Sequence, residues 1–183
     1  MKLENITFIT GNQAKVAQVA TILGINLKHQ KIDLDEIQSL DLEKIVKDKA
    51  KRAFDIVQTP VLVEDVSLKY TALGNLPGPL IRWFLEELGN KGLCRLINHY
   101  NKDRSATAEV SYCLYNGKDF KIFKGSVEGR VAAHPRGETN FGWNPVFIPN
   151  GSTQTWAEME GTDQGSSSMR KIALDKMKQY LTI

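Results

Sequence analysis

The sequence predicts an α/β fold, an elongated mixed β-sheet flanked by helices, and three observations carry that expectation. An apolar run, Ile6-Thr7-Phe8-Ile9, ends in Thr10-Gly11-Asn12 and passes straight into an amphipathic helix. The first half then alternates short apolar strands with segments of helical period. The second half changes to alternating strands joined by a strong hairpin signal, Asn116-Gly117. At 183 residues the chain is expected to be one domain, residues 1–183, able to bury a core without staples.

The first helix shows in Val16, Val19, Ala20 and Leu23, at i, i+3, i+4 and i+7, with Gly24 as its stop. Leu27 to Asp33 reads as a short strand, followed by Asp35-Glu36. Asp41 caps a helix running to about Val57, with Leu42, Ile45, Val46, Ala53 and Val57 on its apolar stripe. Pro60-Val61-Leu62-Val63 is a compact strand that Glu64-Asp65 should end. Pro79 suits the first turn of a helix burying Ile81, Phe84, Leu85 and Leu88, and a second helix spans Leu93 to Tyr100.

Thr107 to Tyr115 alternates, with Ala108, Val110, Tyr112 and Leu114 on one face, and Phe120 to Phe123 returns beside it. A further strand is expected around Val127 to Val131, then an irregular loop from Pro135 to Pro145 and a strand at Val146 to Ile148. The last helix, about Ser168 to Leu181, should bury Met169, Ile172, Ala173, Met177 and Tyr180.

The net charge of +3, with acids mixed among the bases, argues against a nucleic-acid binder, which needs a strongly basic stripe. Cys94 and Cys113 lack metal-ligand spacing and read as free thiols of a reducing cytoplasm. No signal-peptide core and no apolar run of spanning length is found, so a cytoplasmic protein without a membrane partner is expected.

Five features point to chemistry. Backbone N–H groups at the helix start after Thr10-Gly11-Asn12 favour an anion, and Lys15 in the first turn adds a full positive charge. Glu64-Asp65 closing an apolar strand is either a charged turn into solvent or a pair of hard oxygen ligands suited to Mg²⁺, which Glu36 can join. Lys49 stands on the face of its helix that should be buried, so it either snorkels at the rim or points into a cleft holding negative charge. Phe141-Gly142-Trp143-Asn144-Pro145 sets flat aromatics beside backbone, as a platform for a nucleobase or as core plugs. Arg170, on the polar side of the last helix's first turn, opposes the helix dipole and calls for a partner outside the helix.

Taken in order, these motifs resemble the inosine triphosphate pyrophosphatase family. The resemblance spans nearly the whole chain, through Phe8 to Asn12 with Lys15, Lys31-Ile32-Asp33-Leu34 leading to Glu36, and Val61 to Asp65. It continues through Ala72-Leu73-Gly74, Leu76-Pro77-Gly78-Pro79, Gly129-Arg130, Pro135-Arg136-Gly137, Phe141-Gly142-Trp143 and Ala157-Glu158-Met159.

The resemblance implies two lobes around a central cleft, a homodimer, and Mg²⁺-dependent hydrolysis of non-canonical purine nucleoside triphosphates such as ITP, dITP and XTP to monophosphate and pyrophosphate. It implies that Thr10, Gly11, Asn12, Lys15, Lys49 and Arg82 hold the triphosphate. Glu36, Glu64 and Asp65 would hold Mg²⁺, with Asp65 also orienting or deprotonating the water. Phe141, Gly142, Trp143, Asn144, Gln164, Met169 and Arg170 would meet the base.

At three of these positions the chain departs from the family pattern: Asn144 replaces Asp, Gln164 replaces Lys and Met169 replaces His. The alternatives are the same chemistry on another modified nucleotide, with a narrower ITP-over-ATP preference, or a nucleotide-binding protein of weak turnover.

Overall fold

The computed structural model describes residues 6–98, 103–139, 142–159 and 168–181. Strand β1 (Thr7–Ile9) leads into helix α1 (Gln13–Leu23), followed by β2 (Lys28–Gln30), α2 (Leu42–Val57) and β3 (Val61–Tyr70). Then come β4 (Pro77–Gly78), α3 (Ile81–Arg95), β5 (Ser105–Tyr115), β6 (Phe120–Val131), β7 (Phe147–Pro149) and α4 (Met169–Leu181). The strands form one open sheet in the order β2-β1-β3-β5-β6-β7, with β4 paired to β3. It is mixed: β1 runs parallel to β2 and β3, while β3–β4 and β6–β7 are antiparallel.

Local signals account for most boundaries. Asn12 caps α1 by accepting from the Lys15 N–H at 3.2 Å, and Gly24 ends it in the left-handed conformation. Asp41 caps α2 in the same way, accepting from Glu43 N–H at 2.9 Å. The α2 stripe buries Leu42, Ile45, Val46, Ala50 and Ala53.

The chain divides into two compact units, and β3, β5 and β6 each contribute residues to both. The first comprises the described residues of Met1–Asp65, Val110–Gly125 and Arg170–Ile183. Its core packs Ile9, Val46, Ala50, Ala53, Val61, Val63, Cys113 and Tyr115 together, and Tyr115 stacks on Phe120 at 4.1 Å between ring centroids. The second comprises Val66–Glu109 and the described residues of Ser126–Met169. Leu68, Ile81, Leu93, Ile97, Ala108, Val131 and Phe147 are buried there. Arg104 binds that unit together by donating to the carbonyls of Cys94, Val131 and Ala132.

Four expectations are corrected. Strand β3 does not stop at Glu64-Asp65 but runs on to Tyr70, because the apolar pattern resumes at Leu68 and Tyr70 and the Glu64 charge is neutralised in place. The two strands expected over Phe120–Phe123 and Val127–Val131 are one continuous strand, β6. Gly129 within it is required for close approach, since a Cβ there would lie 2.2 Å from the Ile148 carbonyl oxygen of β7.

The helices expected at Ile81 to Leu88 and from Leu93 form α3, broken only at Gly89, whose φ is 61°. Of the expected stripe in its first part only Ile81 is buried, and Leu88 is exposed. His99 and Tyr100, at the end of the second expected helix, lie outside the described residues. In the last helix Leu174 joins Met169, Ala173 and Met177 in the core, whereas Tyr180 is half exposed and packs on Phe123.

Candidate active site

The turn after β1 is built by its own side chains. Thr10 Oγ1 accepts from the Asn12 N–H at 3.1 Å, and the Thr10 N–H donates to the Gln30 carbonyl of β2 at 3.0 Å. Gly11 is exposed, and the aliphatic stem of Lys31 lies against it; a Cβ there would come within 3.0 Å of that stem. The first-turn N–H groups of α1 not engaged by the cap have no acceptor within the helix. An exposed helix start with a lysine in its first turn suits an anionic group.

Lys15 is already engaged. Its Nζ lies 2.6 Å from Glu64 Oε1. From α4, Arg170 donates through Nε to Glu64 Oε2 at 3.3 Å and through Nη2 to Oε1 at 3.2 Å. Oε1 is therefore shared by two cations from different helices. The Glu64 side chain is 3% exposed and that of Arg170 11%, against 26% for Lys15.

Burial pushes the Glu64 carboxyl up, but the Arg170 and Lys15 charges and their hydrogen bonds outweigh it and hold it well below the usual carboxylate range. Burial works against the Arg170 charge too, and Glu64 more than offsets that, raising its pKa. Tyr112 of β5 is fully buried beside both, and burial together with the Glu64 charge keeps its phenol protonated far above its ordinary range.

Lys49 and Glu36 form a second ion pair, with Lys49 mostly buried and Glu36 more exposed. Lys49 thus faces negative charge rather than snorkelling alone. Asp65 is half-buried. Successive side chains of a strand alternate, so Glu64 and Asp65 face opposite sides of β3. No cluster of three or more His, Cys, Asp or Glu side chains is gathered for a metal among the described residues. Glu36 and Asp65 still offer hard carboxylate oxygens in one unit, donors that fit a divalent cation of the Mg²⁺ type.

The remaining predicted residues lie in the second unit or outside the described residues. Arg82, at the start of α3, pairs with Glu86 at 2.8 Å and lies over the Trp83 ring. Gly142 is exposed, and its carbonyl accepts from Asn90 at 3.1 Å. Trp143 is a core plug, packed against Phe147 and Trp156 at 6.2 and 5.7 Å between centroids. Asn144 is buried, and its carbonyl accepts from the Ala157 N–H. Met169 is 2% exposed and packed in the core rather than open to a ligand. Phe141 and Gln164 lie outside the described residues.

The Glu64–Arg170 pair and the nearby Tyr112 were not foreseen from the sequence. The one available signal was Arg170 itself, a cation in a first turn where the dipole disfavours it.

The sequence pattern of the Ham1 family matches residues 6–180, across both units. The inosine triphosphate pyrophosphatase of Schizosaccharomyces pombe is 41% identical over 182 residues, covering 98% of this chain and 96% of that one. The protein of the same name from Yarrowia lipolytica is 43% identical over 182 residues, covering 97% and 95%. Among solved structures, a HAM1 protein from Coxiella burnetii superposes with a TM-score of 0.86 at 24% identity, covering 97% of this chain and 98% of that one. The Staphylococcus aureus Ham1 protein gives 0.76 at 23% identity, covering 97% of each. These last two show the fold alone; with the near-full-length relatives and the pattern match, they make this chain a member of the Ham1 family.

Proposed function

We propose that the chain is a nucleoside triphosphate pyrophosphatase acting on non-canonical purine nucleotides such as ITP, dITP and XTP. The observation that carries this reading is the near-full-length match to proteins named inosine triphosphate pyrophosphatase. The site residues support it: Lys15, Lys49 and the Thr10-Gly11-Asn12 turn offer the cations and backbone donors that a triphosphate needs. The match runs through both units, which supports reading the chain as one catalytic domain.

In this mechanism water adds across the anhydride between the α- and β-phosphates, releasing monophosphate and pyrophosphate. Asp65 orients that water and accepts its proton. Lys15 and Lys49 bind the phosphate oxygens, positioning the substrate and offsetting the charge that builds up on the leaving pyrophosphate. Glu36 and Asp65 would hold the divalent cation, which we take to be Mg²⁺. When bound, it supplies further neutralisation of phosphate charge. Arg170 would meet the base.

We also propose a homodimer: Trp83, Leu88 and Leu76 leave exposed apolar surface on the second unit for another copy of the chain. Sedimentation equilibrium should give twice the 20.5 kDa chain mass, and Trp83→Glu should shift the population to the monomer. No described helix is long and apolar enough to cross a membrane. Burial pushes the free Cys94 and Cys113 thiols up to about 11 and about 12, which keeps them protonated and suits the cytoplasmic setting we propose.

The test is pyrophosphate release from a panel of ITP, dITP, XTP and ATP, with and without Mg²⁺. The reading requires release that depends on the metal and is faster with the inosine or xanthosine nucleotides; no release from any of them overturns it. Lys15→Ala and Lys49→Ala should each weaken binding of a non-hydrolysable triphosphate by about 10-fold or more, the scale of a lost hydrogen bond to a charged group. Unchanged titration isotherms would remove either lysine from the phosphate site.

A further inference from the structure

Glu64 was expected beside Asp65 as a metal ligand, yet its surroundings are those of a different kind of group. Both of its oxygens are taken by cations. Oε1 receives Lys15 at 2.6 Å and Arg170 at 3.2 Å, and Oε2 receives Arg170 at 3.3 Å. The carboxylate is all but sealed from solvent, whereas Asp65 is half-buried on the opposite side of β3. To ligate a metal, Glu64 would have to surrender these partners inside a low-dielectric site, weakening the ion pair that offsets the burial of the Arg170 guanidinium.

The geometry of the two cations is equally informative. Lys15 comes from the first turn of α1 and Arg170 from the first turn of α4, and Glu64 joins those two turns. A shared oxygen means that a displacement of one cation is felt by the other. The bidentate contact fixes the plane of the guanidinium, which a single charge cannot do.

We propose that Glu64 is a positioning residue rather than a metal ligand: it holds Lys15 and Arg170 in one fixed arrangement and so sets triphosphate affinity and base selectivity together. This rests on the reading above, in which Lys15 meets the triphosphate and Arg170 the base. The buried phenol of Tyr112 lies beside Glu64 and Arg170 and, kept protonated far above its ordinary range, adds no competing charge.

The test compares wild-type protein with Glu64→Gln by three measurements. The first is calorimetric titration with a non-hydrolysable ITP analogue. The second is Mn²⁺ affinity by paramagnetic resonance on the analogue-saturated protein. The third is the ITP/ATP ratio of kcat/KM. A positioning role predicts analogue affinity weakened about 10-fold, an ITP/ATP ratio reduced about threefold, and Mn²⁺ affinity within about twofold of wild type.

In an Arg170→Met background, Glu64→Gln should no longer change the ITP/ATP ratio, an outcome that a merely structural role does not produce. Loss of Mn²⁺ affinity by about 10-fold, with base selectivity intact, would make Glu64 a metal ligand and overturn the proposal. If Glu64→Gln fails to fold, Glu64→Asp keeps the charge, retracts it by one methylene, and must show the same pattern. Absence of pyrophosphate release by the wild type would overturn the pyrophosphatase reading alone; base selectivity is then read as the ratio of affinities for non-hydrolysable ITP and ATP analogues, which needs no turnover.

Discussion

Asp65→Asn should lower pyrophosphate release by about 10²- to 10⁴-fold, the usual contribution of a positioned general base. At room temperature that is roughly 2.7–5.5 kcal/mol of lost transition-state stabilisation. The amide keeps the size and much of the hydrogen-bonding capacity of the carboxylate, and Asp65 is only half-buried, so the fold should persist. What the amide cannot do is take the water's proton or lend negative charge to a cation. Affinity for a non-hydrolysable triphosphate should therefore change much less than turnover, giving a kcat effect with a small KM effect. Stopped assays of pyrophosphate release, paired with a thermal melt, measure both quantities. Turnover within 10-fold of wild type would remove Asp65 from the proton transfer.

The reach of the sequence is visible in where it succeeded. Asn12, Gly24 and Asp41 act through contacts within a turn of their own position, and so the starts of α1 and α2 were readable from residue types alone. The Thr10-Gly11-Asn12 turn, which we propose for the phosphates, is held by contacts just as local. Glu64 was not, because the cation that makes it tolerable in mid-strand is Arg170, 106 residues away. Without that partner two adjacent carboxylates look like the end of a strand; with it the strand runs on to Tyr70.

Lys49 was half legible. Its place on the α2 stripe marked it as facing inward, but only the fold brings Glu36 to it. The Gly142-Trp143-Asn144 segment has the composition of a recognition loop. The packing of Trp143 on Phe147 and Trp156 makes that aromatic part of the core, a choice that composition leaves open. Met169 is a parallel case, since burial in α4 gives its apolar side chain a packing role.

Arg170→Met should be the most destabilising single change at the site, at about 3 kcal/mol, because breaking a buried ion pair leaves a carboxylate short of its charge partner. Lys15 remains to compensate Glu64, which keeps the cost at the low end of the range for buried pairs. For a chain of this length the corresponding fall in Tm is roughly 6–12 °C.

The pH dependence gives the prediction its sign. The folded-state pKa of Glu64 lies below its unfolded value of 4.5, so the stability it contributes in the wild type is fully present above that value. It is lost as pH falls through the interval beneath, where the unfolded chain takes the proton first. In Arg170→Met the burial that raises the Glu64 pKa loses its largest opponent, and the carboxyl protonates at higher pH in the folded state. The Tm gap between variant and wild type should therefore be widest near neutral pH and should narrow steadily below about pH 4.5.

Glu64→Met in the same background should recover most of the lost Tm by removing the stranded charge and filling its volume with apolar atoms, although it leaves Lys15 without an anion. A gap that is independent of pH, or a double variant no more stable than Arg170→Met, would mean that Arg170 stabilises the first unit by packing rather than by its charge on Glu64.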